Sequence, residues 1–265
     1  MTTNETTSKA TGTGVRGTNN PAPHVETTEE KCWAITASFE GCGYTGLTGN
    51  FDGQGWSWGL LSWAMGQGTL QPLILACQEA GPETFRRCCT VDVPNLGQTD
   101  ISEQLLAACR KPVAEAVAWA AERCDAETRP LEHWRKVFEN LGAEPAYQAV
   151  QRAHGKSYMD HARAIFAEFG FKSERGLALC FDIAVQDGGI KPEARARFDR
   201  AAPAGPEEPR LVALAETVAA CALPAFRDDV RSRKVCIASG QGHVHGRDYD
   251  LERDFGLTLG PVVEG

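Results

Sequence analysis

Two carboxylates, Glu40 and Asp52, twelve residues apart, bracket the run Gly41-Cys42-Gly43-Tyr44-Thr45-Gly46-Leu47-Thr48-Gly49-Asn50-Phe51, which continues as Gly53-Gln54-Gly55-Trp56-Ser57-Trp58-Gly59. Glu40 follows Trp33 and Ala37 at helical spacing. Its carboxyl is therefore expected on a partly desolvated face, where burial disfavours the ionised form. Asp52, among Asn50, Gly53 and Gln54 with exposed backbone donors, is expected to stay ionised. One protonated and one ionised acid is the pairing that glycoside hydrolysis requires: the first protonates the leaving oxygen and the second serves the opposite sugar face. Tyr44, Trp56 and Trp58 would give apolar sugar faces a surface to rest on, with Gln54 and Ser57 as hydrogen-bonding neighbours. The same two acids also read as a helix-end carboxylate and a turn residue, both in solvent.

Two later clusters are candidates to complete a cleft. The run Cys180 to Gly189 ends an apolar helix with Gln186 and Asp187, suitable partners for sugar hydroxyls, although a glycine-closed helix end explains Gly188 equally. The polar run Ala238 to Tyr249 reads as a substrate-facing loop carrying His243, His245 and Tyr249. Alternating histidines share a face of an extended segment, but no acidic or cysteine partner in the motif completes a metal site, so no metal or other cofactor is expected. Ser57 lies in no nucleophile-elbow pattern, and local spacing assembles no Ser/His/Asp or Cys/His set. The ten cysteines form no CxxC pair. Several fall at apolar helical positions as small hydrophobes, although Cys32 and Cys42 could meet across the end of the first helix.

These residues need a helical frame. Thr27 and Glu30 form a capping box for a helix over 28–40, with Cys32, Ile35 and Phe39 at helical spacing. The glycines from Gly41 to Gly49 forbid its continuation and favour a small β element near residues 43–56. Apolar runs predict buried helices over Trp56 to Met65 and Leu70 to Ala80, the second ending at Gly81-Pro82. Further helices are predicted after Asp100, after Pro112, and from Pro130 to Gly142. Others follow over Pro145 to His154, Tyr158 to Phe169, Ser173 to Gln186, Pro192 to Arg200, Glu207 to Cys221 and Pro224 to about Ala238. Trp119 and Trp134 fall at core positions. The expected class is mainly α with a small β-hairpin region near the site: a tail over residues 1–26, poor in anything to bury, and one domain over 27–265.

Composition narrows the function classes. The 265 residues carry 27 Lys and Arg against 35 Asp and Glu, a net charge of −8, so no basic field exists to hold a phosphate backbone and nucleic acid is not expected as a partner. The segment Gly53 to Gln78 lacks charged side chains, but its glycines and Pro72 mark it as protein core rather than a membrane span. The first thirty residues hold no apolar run of signal-peptide type, so the expectation is a cytoplasmic location until release or delivery by a non-classical route.

Glu40 to Trp63 resembles the active-site region of the lysozyme-like superfamily, above all goose-type lysozymes and their bacterial relatives, in which a catalytic Glu closes a helix and an Asp begins a Gly-rich segment. Asp52-Gly53-Gln54-Gly55-Trp56-Ser57-Trp58-Gly59-Leu60-Leu61 corresponds to that segment, and the family's further acidic position falls near Trp63. Gly43-Tyr44-Thr45-Gly46 is also similar to a stretch of chitosanases in the same superfamily, whose Asp is placed differently. The resemblance implies a lysozyme-like α+β fold, Glu40 as general acid and Asp52 assisting water in an inverting reaction. The implied substrate is a β-1,4-linked amino-sugar glycan, first peptidoglycan and alternatively chitosan; a catalytically silent carbohydrate-binding module is the third reading. A cell-wall hydrolase without a leader implies a phage lysis enzyme or an antibacterial effector, with an immunity or delivery protein as partner.

Overall fold

The computed structural model describes residues 27–41 and 43–264. The expected tail over 1–26 and the Cys42 half of the suggested bridge lie outside them. The elements run α1 (Thr28–Glu40), β1 (Leu47–Thr48), β2 (Ser57–Trp58), β3 (Trp63–Ala64), α2 (Leu70–Ala80), α3 (Pro82–Cys88), β4 (Thr90–Val93) and β5 (Gly97–Asp100). There follow α4 (Ser102–Cys109), α5 (Val113–Ala121), α6 (Glu132–Ala143), α7 (Pro145–His154), α8 (Lys156–Phe169), α9 (Glu174–Asp187) and α10 (Pro192–Ala201). The chain closes with α11 (Glu207–Ala220), a 3-10 turn at Pro224–Phe226, α12 (Arg227–Ser239), β6 (Gln241–Val244), β7 (Arg247–Asp250) and α13 (Leu251–Phe255). The class is mainly α, with three small antiparallel sheets ordered β1-β2-β3, β4-β5 and β6-β7.

The local signals explain α1. Thr27 Oγ1 accepts from the Glu30 amide at 3.2 Å, Glu30 returns the bond to the Thr27 amide at 3.1 Å, and Gly41 ends the helix in the left-handed region at φ 75°. Lys31 Nζ meets Glu174 Oε1 at 2.5 Å, and the Thr258 amide donates to Glu174 Oε2 at 3.1 Å. One carboxylate thus ties the start of α1 to the start of α9 and to the closing segment.

The helix expected over Trp56 to Met65 is instead the β2-β3 hairpin, with Ser57 opposite Ala64 and Trp58 opposite Trp63. Gly59 and Ser62 take positive φ, 84° and 50°, and interrupt any helical run. At Gly59 a side chain has no room, because a Cβ would lie 2.6 Å from Gln151 Oε1, the atom that accepts from the Leu60 amide. The sequence reading also missed α3 and the β4-β5 hairpin, and the polar run expected as a loop after Ala238 is the β6-β7 hairpin.

The core has two parts. Trp56, Trp119, Trp134 and Phe138 form an aromatic cluster with ring centroids 5.1–5.7 Å apart, and Trp58 joins it at 5.3 Å from Phe138. Around the second part pack α1, α8, α11 and α12, all against α9, whose residues Glu174 to Ala184 are buried. Every described cysteine is a free thiol and all but Cys124 are buried; burial raises the thiols of Cys77 and Cys109 to about 12. No helix among the described residues is long and apolar enough to cross a membrane.

Candidate active site

Glu40 stands at the last turn of α1, where Gly41 turns the chain away, and lines a groove of about 550 Å³. The groove runs between the β2-β3 hairpin, which supplies Leu61, Ser62 and Trp63, and the wall of α9 and α12, which supplies Val185, Gln186, Asp229 and Arg233. Phe51 lines it from the glycine-rich turn, Phe226 from the 3-10 turn and His245 from the tip of the β6-β7 hairpin.

Behind Glu40 lies a buried ion network. Arg233 Nη1 donates to Glu40 Oε1 at 2.8 Å and its Nη2 to Asp182 Oδ1 at 2.6 Å. Lys234 Nζ donates to Asp182 Oδ2 at 3.1 Å and to Gln186 Oε1 at 2.5 Å, and pairs with Asp187 at 2.7 Å. Burial penalises the Asp182 carboxylate, yet Arg233 and Lys234 outweigh it and hold the group below the ordinary range. Burial likewise works against the Arg233 guanidinium, but Asp182 and Glu40 prevail and raise it. At Asp187 burial wins over Lys234 and pushes the carboxyl up. The partly desolvated face expected for Glu40 is thus a wall with a guanidinium in it, 5.3 Å from the Phe39 ring centroid.

The other sequence candidates divide by position. Asp52 is exposed, one residue beyond the groove-lining Phe51, and its Oδ1 accepts only from the Gln54 amide, at 3.0 Å. Gln186 lines the groove and donates to Asp229 Oδ2 at 2.7 Å. His245 also lines it; its Nδ1 lies 2.9 Å from the Phe39 carbonyl and its Nε2 2.5 Å from Asp229 Oδ1.

Trp56 and Trp58 cannot carry a sugar, because both are fully buried and their indole N–H groups donate inward, to Cys124 Sγ and the Phe138 carbonyl. The large apolar rings gain more from the core than a solvent-facing position would give. Tyr249 is buried against Phe39, with centroids 5.1 Å apart, and its hydroxyl meets Ser38 Oγ at 3.0 Å. Tyr44 takes a hydrogen bond from Arg152 at 2.8 Å and lies outside the groove lining, as do Gln54, half-buried against Gly66, and Ser57, paired with Ala64. Asp187 is committed to Lys234, and His243, exposed, pairs with Asp248 at 2.6 Å. No group of three or more His, Cys, Asp or Glu among the described residues is placed to hold a metal.

Sequence reasoning missed Arg233, Lys234 and Asp229 and undervalued Asp182. A signal existed: Asp182 interrupts the apolar run Leu177 to Val185, and a carboxylate buried in such a helix demands a cationic partner.

No family model and no curated protein matches the chain. Solved structures do. Chitosanase OU01, co-crystallised with substrate, matches with a TM-score of 0.58 at 19% identity over 84% of this chain and 95% of that one. The native chitosanase of Bacillus subtilis MY002 matches with a TM-score of 0.56 at 17% identity over 85% and 96%. A mutant of that enzyme complexed with 6 GlcN matches at 16% identity, with the same TM-score of 0.56 and the same coverage. At these identities the likeness establishes the fold, which is the mainly-α, lysozyme-like fold of these chitosanases.

Proposed function

We propose that this protein is a glycoside hydrolase of β-1,4-linked amino-sugar polymers, acting through a catalytic domain over residues 27–265. The observation that carries the reading is Glu40, held at a helix end in an open groove by a buried arginine, in a fold whose solved examples include chitosanases, one of them complexed with 6 GlcN. In this reading Glu40 protonates the glycosidic oxygen. Arg233, itself anchored by its second bond to Asp182, fixes the position and rotamer of the Glu40 carboxyl. Asp52, solvent-facing, serves the water that attacks the anomeric carbon from the other face, with inversion.

The acidic chain, net −8, suits a polycationic glucosamine polymer, and chitosan is the first substrate to test. A second reading, the glycan strand of peptidoglycan, is favoured by the pairing of the groove's Glu40 with Arg233, so that this carboxylate is not free to draw in a cationic sugar. That reading brings with it delivery to the cell wall and an immunity or delivery partner. The test is release of reducing ends from chitosan and from purified sacculi in parallel. Glu40→Gln should lower turnover by about 10²- to 10⁴-fold on whichever polymer is cleaved, with oligosaccharide binding retained. Wild-type-like activity in that variant would refute the assignment.

A further inference from the structure

Among the described residues the only exposed Phe, Tyr or Trp side chains are Phe51 at 76% and Phe226 at 60%, and both line the groove that holds Glu40. One rises from the glycine-rich turn and the other from the 3-10 turn before α12. Large exposed rings on a folded chain are held against the hydrophobic effect, and rings converging on one groove mark a surface made to be covered. With the amino-sugar polymer as its occupant, each ring offers a flat apolar face to the C–H face of a sugar.

The two rings differ in what they are attached to. Phe226 borders α12, which carries Asp229 and Arg233, both already held in hydrogen bonds. Phe51 precedes Asp52 in a turn fastened at both ends. At its start the Asn50 amide donates to the Thr128 carbonyl at 3.0 Å, and Gly49 is so close that a Cβ there would sit 1.8 Å from the Thr128 oxygen. At its far end the Gly55 amide donates to Asn50 Oδ1 at 2.8 Å and the Gly66 amide to the Gln54 carbonyl at 2.7 Å. Between these anchors Phe51, Asp52 and Gly53 are exposed, and Gly53, at φ 77°, has nothing within 4 Å of where a Cβ would stand. The tip is three exposed residues long, closed within itself only by the Gly53 amide on the Asn50 carbonyl at 3.4 Å and the Gln54 amide on Asp52 Oδ1 at 3.0 Å.

We infer that Phe51 is the positioning residue for Asp52: its ring stacks on a sugar in the groove, and that contact sets the tip of the turn so that the adjacent carboxylate faces the anomeric carbon. The inference rests on the amino-sugar hydrolase reading. The stack orders the tip only when substrate is present, so part of the binding energy is spent on placing the second carboxylate. Phe226 stacks in the same way but positions no reacting group. Loss of the Phe51 ring therefore lowers kcat, whereas loss of the Phe226 ring raises KM alone.

The test combines kinetics with hydrogen exchange. On the polymer that the wild type cleaves, chitosan or sacculi, Phe51→Ala should lower kcat at least tenfold, Phe51→Tyr should restore it, and Phe226→Ala should raise KM several-fold at unchanged kcat. In the Glu40→Gln background, glucosamine hexamer, or soluble disaccharide-peptide fragments if sacculi are the substrate, should protect the amides of residues 49–55, and Phe51→Ala should abolish that protection with saccharide at saturation. An effect of Phe51→Ala on KM alone, or protection that persists without the ring, overturns the inference while leaving the hydrolase reading intact. If no polymer is cleaved the hydrolase reading fails, and the exchange measurement alone decides whether Phe51 couples saccharide to the turn; no protection then overturns the inference as well.

Discussion

The two carboxylates singled out by their spacing sit in opposite kinds of structure. Glu40 belongs to a wall in which α1, α9 and α12 share a buried ion network: Arg233 spans Glu40 and Asp182, and Lys234 spans Asp182, Gln186 and Asp187. Asp52 belongs to an exposed turn in which, among the described residues, its carboxylate accepts a hydrogen bond only from the amide two residues on. The wall is over-determined and holds its carboxyl in place before any substrate arrives. The turn is fastened at its ends and exposed at its tip. Proton donation needs a carboxyl in one place and one rotamer, whereas the residue serving water must let a polymer enter before it closes the geometry. In the proposed reaction, the difference between the regions would match that division of work.

The contrast can be broken or sharpened by experiment. The largest effect on stability is expected at the centre of the wall. Asp182→Asn leaves Arg233 and Lys234 buried with one carboxylate fewer, and should cost about 3–5 kcal/mol in urea unfolding at neutral pH. A loss below 1 kcal/mol would show that the network does not hold the wall together.

The acid dependence comes next. The Asp182 carboxyl lies below its unfolded value of about 3.9, so its stabilisation is complete above that value and is lost as pH falls through the lower folded one. The stability gap between wild type and Asp182→Asn should therefore be full at pH 6 and shrink below about pH 4. Asp187 has the opposite sign: its raised carboxyl contributes stability that is complete below the unfolded value and fades as pH rises through the folded one. A gap that is flat down to pH 3 would argue against a depressed Asp182.

The smallest effect on stability is expected in the turn. Asp52→Asn should change the unfolding free energy by less than about 0.5 kcal/mol, since an amide oxygen can still accept from the Gln54 amide. The same substitution should lower turnover by about tenfold or more on any polymer cleaved. Equal stability costs at Asp52 and Asp182 would erase the distinction between the regions.

Much of the frame was legible in the sequence because helix ends carry local chemistry. The capping box at Thr27 and Glu30, and prolines at 145 and 192, placed the starts of α1, α7 and α10, and Gly41 and Gly170 placed the ends of α1 and α8. The β2-β3 hairpin was not legible, since its apolar residues read equally as a buried helix and only the backbone angles at Gly59 and Ser62 separate the two. Trp56 and Trp58 looked like sugar platforms because aromatic type and proximity to Asp52 do not say which side of a strand faces the core.

The sequence by itself determined most of the helices, the class, and the carboxylate at the end of α1, because capping, periodicity and glycine breaks act over a few residues. It did not determine what stands next to that carboxylate. Arg233 is 193 positions from Glu40 and 51 from Asp182, and only the packing of α1, α9 and α12 brings the three into bonding distance. Charges that cancel across such separations leave no local pattern, since the energy that couples them arises only once water has been excluded from the space between the helices.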